Sequence, residues 1–283
     1  MGGEYNEDPE GPVESPKTWL QARLATGPPL LLDGAMGTEL ERRGVATELP
    51  LWSTQVLLEE PQRVAEIHRE YAAAGAEILT ANTFRTQRRT LRRAKRTETA
   101  EELTRRAVGL AQKVASESAR PILVAGSAPP LEDCYRPDLV PDNASLAREH
   151  SEHLRYLLEA GVDLVLIETM NSIREADAAA RAAAESGVPF FASFVCEGNT
   201  RLLSGEPLRD AANLALGHGA LCVLVNCVPT SGVSKCLAVL ESAVAGSADR
   251  ASETPYFGAY PNLGAPAGEQ WSEPCSPRSE EHT

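Results

Sequence analysis

Short apolar runs alternate with longer amphipathic ones along most of the chain. Leu30-Leu31-Leu32 runs into Asp33 and Gly34, and residues 76–84 (AEILTANTF) end in polar groups. Residues 121–128, 162–169, 190–195, 220–228 and 255–262 are further runs of this kind. Each is a near-continuous apolar stretch of strand length, the pattern of a strand buried on both faces. Helical periodicity fills the intervals. Pro61–Ala74 (PQRVAEIHREYAAA) opens on a proline and stops at Gly75, the usual asymmetry of a helix. Helices are also expected over residues 99–118, 143–160, Ile173–Ser186, 207–216 and 231–245, the last stopped by Gly246, with a short one over 19–25 ahead of the first strand.

Seven strands with a helix in each interval between them mean a parallel sheet covered by helices. Seven repeats fit an α/β barrel of the TIM (β/α)8 type. After Trp271 the chain reads SEPCSPRSEEHT, with no pattern for an eighth strand or helix, so the expected barrel is incomplete. Its unpaired strand edges favour a homo-oligomer. The expected domain organisation is an acidic, disordered tail over 1–17, the barrel over 18–271 and an irregular tail over 272–283.

Composition narrows the class. Hydrophobic residues make up 42% of the 283 and aromatics only 5%, so Ala, Leu and Val must fill the core. A net charge of −13 argues against a nucleic-acid partner, which needs clustered positive charge. The exception is the stretch 85–96 (RTQRRTLRRAKR), with seven basic residues in twelve. It reads as a solvated loop and helix start on the rim after the second strand, with attraction of an anionic methyl donor by Arg88 and Arg89 as a lesser reading. Six cysteines, at 134, 196, 222, 227, 236 and 275, have no small-module spacing, which fits a reduced, cytoplasmic enzyme. No apolar run nears the roughly 20 residues that span a bilayer, and the N-terminus is unlike a signal peptide. His150 and His153 share a helix face and read as surface or packing residues.

Barrel enzymes place their chemistry at the C-terminal strand tips. Here the tips carry Asp33, Asn82, Gly126-Ser127, Glu168, Cys196, Cys227 and Asn262. Two carboxylates, amides and a thiol on one rim suit a ligand with an ammonium group and a soft atom. Asp33 and Glu168 pair with the amine, backbone N–H groups around Gly34 take a carboxylate, and a metal on Cys227 takes sulfur. Asn82 and Asn226 are read with them as substrate-binding amides.

Several segments are specific enough to resemble a known family. They are LLLDGAMGTELERRG (30–44), LWST (51–54), EILTANTF (77–84), DLVLIETM (163–170), LLSGEPL (202–208), VNC (225–227) and YPNLG (260–264). Together they resemble the zinc-dependent homocysteine S-methyltransferases. These methylate homocysteine from S-methylmethionine, S-adenosylmethionine or betaine, and include the homocysteine module of cobalamin-dependent methionine synthase. The resemblance implies a TIM barrel holding Zn2+ through three cysteines, homocysteine and a methyl donor as partners, and Asp33 and Glu168 on the homocysteine amino group. Cys227 matches the first zinc ligand. The other two belong to a Gly-Gly-Cys-Cys motif at the end of strand 8, and this sequence has no Cys-Cys pair. Cys196, at a neighbouring strand tip, is a candidate substitute. Cys222, at an odd offset from Cys227, is expected on the other face. The implied reaction is methyl transfer to homocysteine, giving methionine. The competing expectation is an impaired, truncated barrel that serves only in binding.

Overall fold

The computed structural model describes residues 15–197, 200–247 and 254–262. The early part of the chain is helical: α1 (Pro16–Thr26), α2 (Met36–Arg42), α3 (Thr54–Glu59) and α4 (Pro61–Ala74). Then β1 (Ile78–Ala81), α5 (Arg88–Arg93), α6 (Ala100–Ser116), β2 (Leu123–Ala128), α7 (Asn143–Glu159) and β3 (Leu164–Met170) follow. The alternation continues through α8 (Ile173–Ser186), β4 (Phe190–Phe194), α9 (Leu208–Gly217), β5 (Cys222–Pro229), α10 (Thr230–Ser247) and β6 (Tyr256–Asn262).

All five strand pairings are parallel and in chain order, β1 to β6. Each strand therefore needs a helical crossover on the same side, and the sheet curls into a half-barrel consistent with an incomplete TIM-type barrel. The strand expected at 30–32 is reduced to one bridge, Leu32 to Ile78. The hydrogen bonds Glu77 N–H to Leu31 O (2.8 Å) and Asp33 N–H to Ile78 O (3.0 Å) hold it there. Pro28 and Pro29 remove two donors just ahead, and Gly34 turns the chain just after. That leaves room for a single ladder rung.

The sheet separates two cores. Outside, Val124, Val165, Ile167, Ala192, Val223 and Val225 pack against the helices. The alanine face of α8 (Ala176, Ala179, Ala180, Ala183) lets that helix lie close to the strands. Inside, Ile78, Leu123, Leu164, Leu166, Phe191 and Leu224 fill the lumen, and Leu20, Trp19 and Leu24 of α1 join them. Helix α1 is thus anchored in the inner core from Pro16 onward, inside the span expected to be a disordered tail. Residues 1–14 and 263–283, including Cys275 and the expected tail 272–283, lie outside the described residues.

Local signals account for the helix ends. The Thr99 side chain accepts from Glu102 N–H and Glu102 answers to Thr99 N–H, a full capping box. Gly75 closes α4 at φ 115°, a conformation glycine adopts without strain. Gly246 does not stop α10, which continues to Ser247; a single glycine lowers helix propensity without ending the helix. Helices α2 and α3 carry no sequence expectation of their own, being only 7 and 6 residues long, too short for a periodicity to register, while α5 falls where a helix start was expected within 85–96. No described helix is long and apolar enough to cross a membrane.

Candidate active site

The mouth of the half-barrel is shaped by two matched irregularities. On β3, alternation places Leu164 and Leu166 inside and Val165 and Ile167 outside. Between Ile167 and Met170 the register with β4 shifts, and Thr169 takes φ 58°. On β5 the register with β6 shifts between Asn226 and Pro229, and Cys227 takes φ 52°. In each strand one extra residue is inserted at the tip, as in a β-bulge. Without the second bulge Cys227 would continue the outward series of Val223 and Val225. With it, Val228 takes the outer-core place and the Cys227 sulfur is only partly buried, within reach of Glu168 and Tyr135.

Two left-handed residues, one of them β-branched, cost of order 1–2 kcal/mol each. The Asn226 side chain offsets this. Its Oδ1 accepts from Thr169 N–H (3.0 Å) and from the Ser193 hydroxyl (2.7 Å). Its Nδ2 donates to Thr169 Oγ1 (2.7 Å) and to Cys227 Sγ (3.4 Å). Asn226 is fully buried and its amide is wholly committed to protein partners.

Asp33 and Glu168 lie within electrostatic reach of each other. Asp33 is pinned by Thr80, whose N–H donates to Oδ2 and whose hydroxyl donates to Oδ1, both at 2.8 Å. Burial pushes its carboxyl up to about 7, against those two hydrogen bonds, and the negative charge of Glu168 adds to the rise. Glu168 accepts from the Ser127 hydroxyl and from the Tyr260 hydroxyl at 3.3 Å. Burial likewise raises it to about 7. Such shifts mark groups held ready for a charged ligand. His68, on α4, has its Nδ1 3.9 Å from Asp33 Oδ2. Burial lowers its pKa to about 4, so it is neutral there and forms no ion pair at neutral pH.

The Cys227 thiol is raised to about 11 by burial and by Glu168, against hydrogen bonds with Tyr135, Thr169 and Asn226. It is a neutral thiol at pH 7. Gly34 and Gly37 shape the turn after Asp33 by necessity. A Cβ on Gly34 would lie 2.6–2.7 Å from the Tyr71 ring, and one on Gly37 would overlap Trp52. Asn82 is held away from solvent by Ser53, accepting from its hydroxyl (2.6 Å) and donating to its carbonyl (3.0 Å). Thr80, Ser127 as a side-chain donor, Tyr135 and Tyr260 carry no role in the sequence reading. Only contacts across distant segments single them out, and nothing local in the chain signals those.

The basic stretch 85–96 departs from a solvated loop. Arg88 pairs with Glu152 (2.6 Å), and Arg89 with Glu132 (2.9 Å) and Glu149 (2.7 Å). Arg93 also pairs with Glu132. His150 and His153 are buried packing residues: His150 Nε2 is 3.2 Å from Glu175 Oε1, and His153 Nε2 is 3.0 Å from Ser127 O.

Three thiols do not converge among the described residues, although Cys134 comes within electrostatic reach of Cys227. Cys222 belongs to the inner core with Phe191 and Leu224. Cys196 is hydrogen-bonded to Cys236 in the outer core and is not available to Cys227. Cys134 is buried, its pKa raised by desolvation and then by Cys227. Among the described residues no group of three or more His, Cys, Asp or Glu side chains could hold a metal ion. A three-thiolate zinc site, as such centres require, does not fit them.

With this geometry in hand, the comparisons with known proteins are specific. The chain is 33% identical over 233 residues to the homocysteine S-methyltransferase of Escherichia coli (strain K12), covering 77% of this chain and 75% of the relative. It is 29% identical over 231 residues to the homocysteine S-methyltransferase YbgG of Bacillus subtilis (strain 168), covering 74% and 72%. Among solved structures it matches the metallated form of the homocysteine methyltransferase MmuM from Escherichia coli. That match has a TM-score of 0.71 and 26% identity, over 85% of this chain and 94% of that one. The family model described as homocysteine S-methyltransferase matches residues 30–281, and the chain therefore belongs to the homocysteine S-methyltransferase family.

Proposed function

We propose that the chain transfers a methyl group from a sulfonium donor to the thiol of homocysteine, giving methionine. The observation that carries this reading is the pair of buried carboxyl groups, Asp33 and Glu168, set beside the Cys227 thiol at one rim. A cation entering between them restores both to the charged form, so they hold the homocysteine ammonium. Backbone N–H groups at the Gly34 turn take its carboxylate. The thiol end then lies toward Cys227, where Tyr135 and Asn226 fix the soft, polarisable surroundings.

The step is an in-line displacement. The homocysteine sulfur forms a bond to the methyl carbon as the donor's carbon–sulfur bond breaks. The donor leaves as a neutral thioether, and the thiol proton is released to solvent. The protein's part is to place two substrates in line and exclude competing water. In the family, zinc makes the acceptor thiol acidic. The described residues bring only Cys134 near Cys227, short of three thiol ligands, and no step is routed through a metal.

The test is methyl transfer to homocysteine from S-methylmethionine, S-adenosylmethionine and betaine in parallel, with and without added zinc, read as methionine formed. Activity with a sulfonium donor that falls away in Asp33→Asn supports the reading. No methionine from any donor under either condition overturns it.

A further inference from the structure

The arginine stretch after β1 has one member unlike the rest. Arg88, Arg89 and Arg93 reach Glu152, Glu132 and Glu149 and are neutralised there. Arg85 turns inward and is only 7% exposed. Its Nη1 donates to Glu132 O at 3.0 Å, its guanidinium lies 5.2 Å from the centre of the Phe84 ring, and its buried Nε has no partner among the described residues. No described carboxylate forms an ion pair with it, and the side chain of Glu132 is already shared by Arg89 and Arg93. A desolvated guanidinium without a counter-anion is strongly unfavourable. A cation held this way is completed by an anion that arrives with a ligand.

The surroundings say which ligand. Arg85 follows Asn82, Thr83 and Phe84 off the C-terminal tip of β1, and its charge acts on Cys134, which also lies within electrostatic reach of Cys227. Phe84 meets Trp52 edge-on at 5.5 Å between ring centres, and an aromatic pair of this kind attracts a sulfonium or quaternary cation. The loop after β2 lies against the guanidinium, whose positive charge also acts on the Cys134 thiol. The acids Asp33 and Glu168, bonded to Thr80 of β1 and Ser127 of β2, repel a carboxylate and leave Arg85 as its partner. A donor that carries both charges is therefore oriented by them.

We infer that Arg85 binds the carboxylate of the methyl donor, acting as a specificity-determining residue for donors built on an amino acid. This rests on the methyl-transfer reading above. The fork geometry of arginine suits a carboxylate through two parallel hydrogen bonds.

The experiment compares two donors, S-methylmethionine and the carboxylate-free trimethylsulfonium ion. Wild type, Arg85→Gln and Arg85→Lys are assayed by steady-state kinetics and by calorimetric titration. Arg85→Gln is expected to raise the KM and Kd for S-methylmethionine by about 30-fold, the range for a lost charge-assisted hydrogen bond. Arg85→Lys recovers part of that loss. The constants for trimethylsulfonium and for homocysteine change less than about twofold, since neither relies on the guanidinium. Equal losses for both sulfonium donors mean that Arg85 merely supports the loop at Glu132, and overturn the inference. So does an unchanged affinity for S-methylmethionine, while homocysteine binding leaves the wider reading intact. A wild-type chain that binds neither homocysteine nor S-methylmethionine overturns both.

Discussion

The side-chain amide of Asn226 grips Thr169 twice, accepting from its N–H at 3.0 Å and donating to its hydroxyl at 2.7 Å. Ser193 of β4 lies between the two strands and donates to the same Asn226 oxygen. One buried amide thereby joins the tips of β3, β4 and β5 and keeps both bulges in register. Replacing Asn226 by Ala leaves the Thr169 N–H without a partner and removes one partner each from the Ser193 and Thr169 hydroxyls, which keep Tyr260 and Cys227. The expected outcome is a loss of about 1–3 kcal/mol in urea-induced unfolding, the cost of one buried unpaired group, with activity lost in the fraction that remains folded. A loss under about 1 kcal/mol would show that the bulges stand without it.

Homocysteine binding should depend on pH through Asp33 and Glu168. Each carboxyl sits near pKa 7 in the free protein and must be charged to hold an ammonium group. The KM for homocysteine is therefore expected to fall as pH rises from 6 to 8 and then level off. Asp33→Asn raises that KM by about 10- to 100-fold, the worth of one charge-assisted hydrogen bond, and leaves a shallower pH profile. A profile unchanged in the variant removes Asp33 from the binding role.

The same shifts act on stability. Glu168 is raised from 4.5 to about 7 by burial, so between those values the folded chain holds a proton that the unfolded chain has released. Its contribution is present at low pH and lost as pH rises toward 7. Glu168→Gln escapes this loss. The stability of the variant relative to wild type should increase across that window by on the order of 3 kcal/mol, at 1.36 kcal/mol per pKa unit. His68 and His153, both lowered to about 4 by burial, act in the opposite sense: below about pH 6.5 the unfolded chain takes up protons that these buried rings do not, so stability falls with falling pH, and they cancel in the comparison. Thermal unfolding of both proteins at pH 5 and pH 8 measures it.

The turn at Gly34 is fixed by crowding. Gly34→Ala places a methyl group against Tyr71 and should destabilise by about 1–3 kcal/mol. In a Tyr71→Ala background the same change should do less harm. A double-mutant cycle with no coupling would mean that the ring moves aside freely.

Purified chain is expected to hold well under one equivalent of zinc after gel filtration, because Cys227 lacks two companion thiols among the described residues. Metal analysis of wild type and Cys227→Ser settles the point. One tightly held equivalent that disappears in the variant would mean that other residues complete the site.

The alternation of buried strands and amphipathic helices is legible because the strands are largely apolar and α4, α6, α7 and α8 each have a side-chain cap or a glycine stop. Asp33, Glu168 and Cys227 stood out because they end such runs. What remained hidden depends on pairing across the sheet. Thr80 is an ordinary strand residue until Asp33 bonds to it, and Ser127 reads as a turn until Glu168 is opposite. The bulges at Thr169 and Cys227 leave no mark in a hydrophobic pattern, since a bulge changes which face a residue takes and not what the residue is. The inward turn of Arg85, within a stretch that otherwise forms surface ion pairs, was equally invisible.

Glu168 draws one of its two hydroxyl partners, Tyr260, from the last described strand. During synthesis, β1 to β5 and their helices leave the ribosome well before that tyrosine does. The acid must then wait, half-partnered, until residue 260 emerges. A nascent chain stalled short of residue 260 would carry most of its cores and still lack a finished mouth, so the ability to bind homocysteine is gained last.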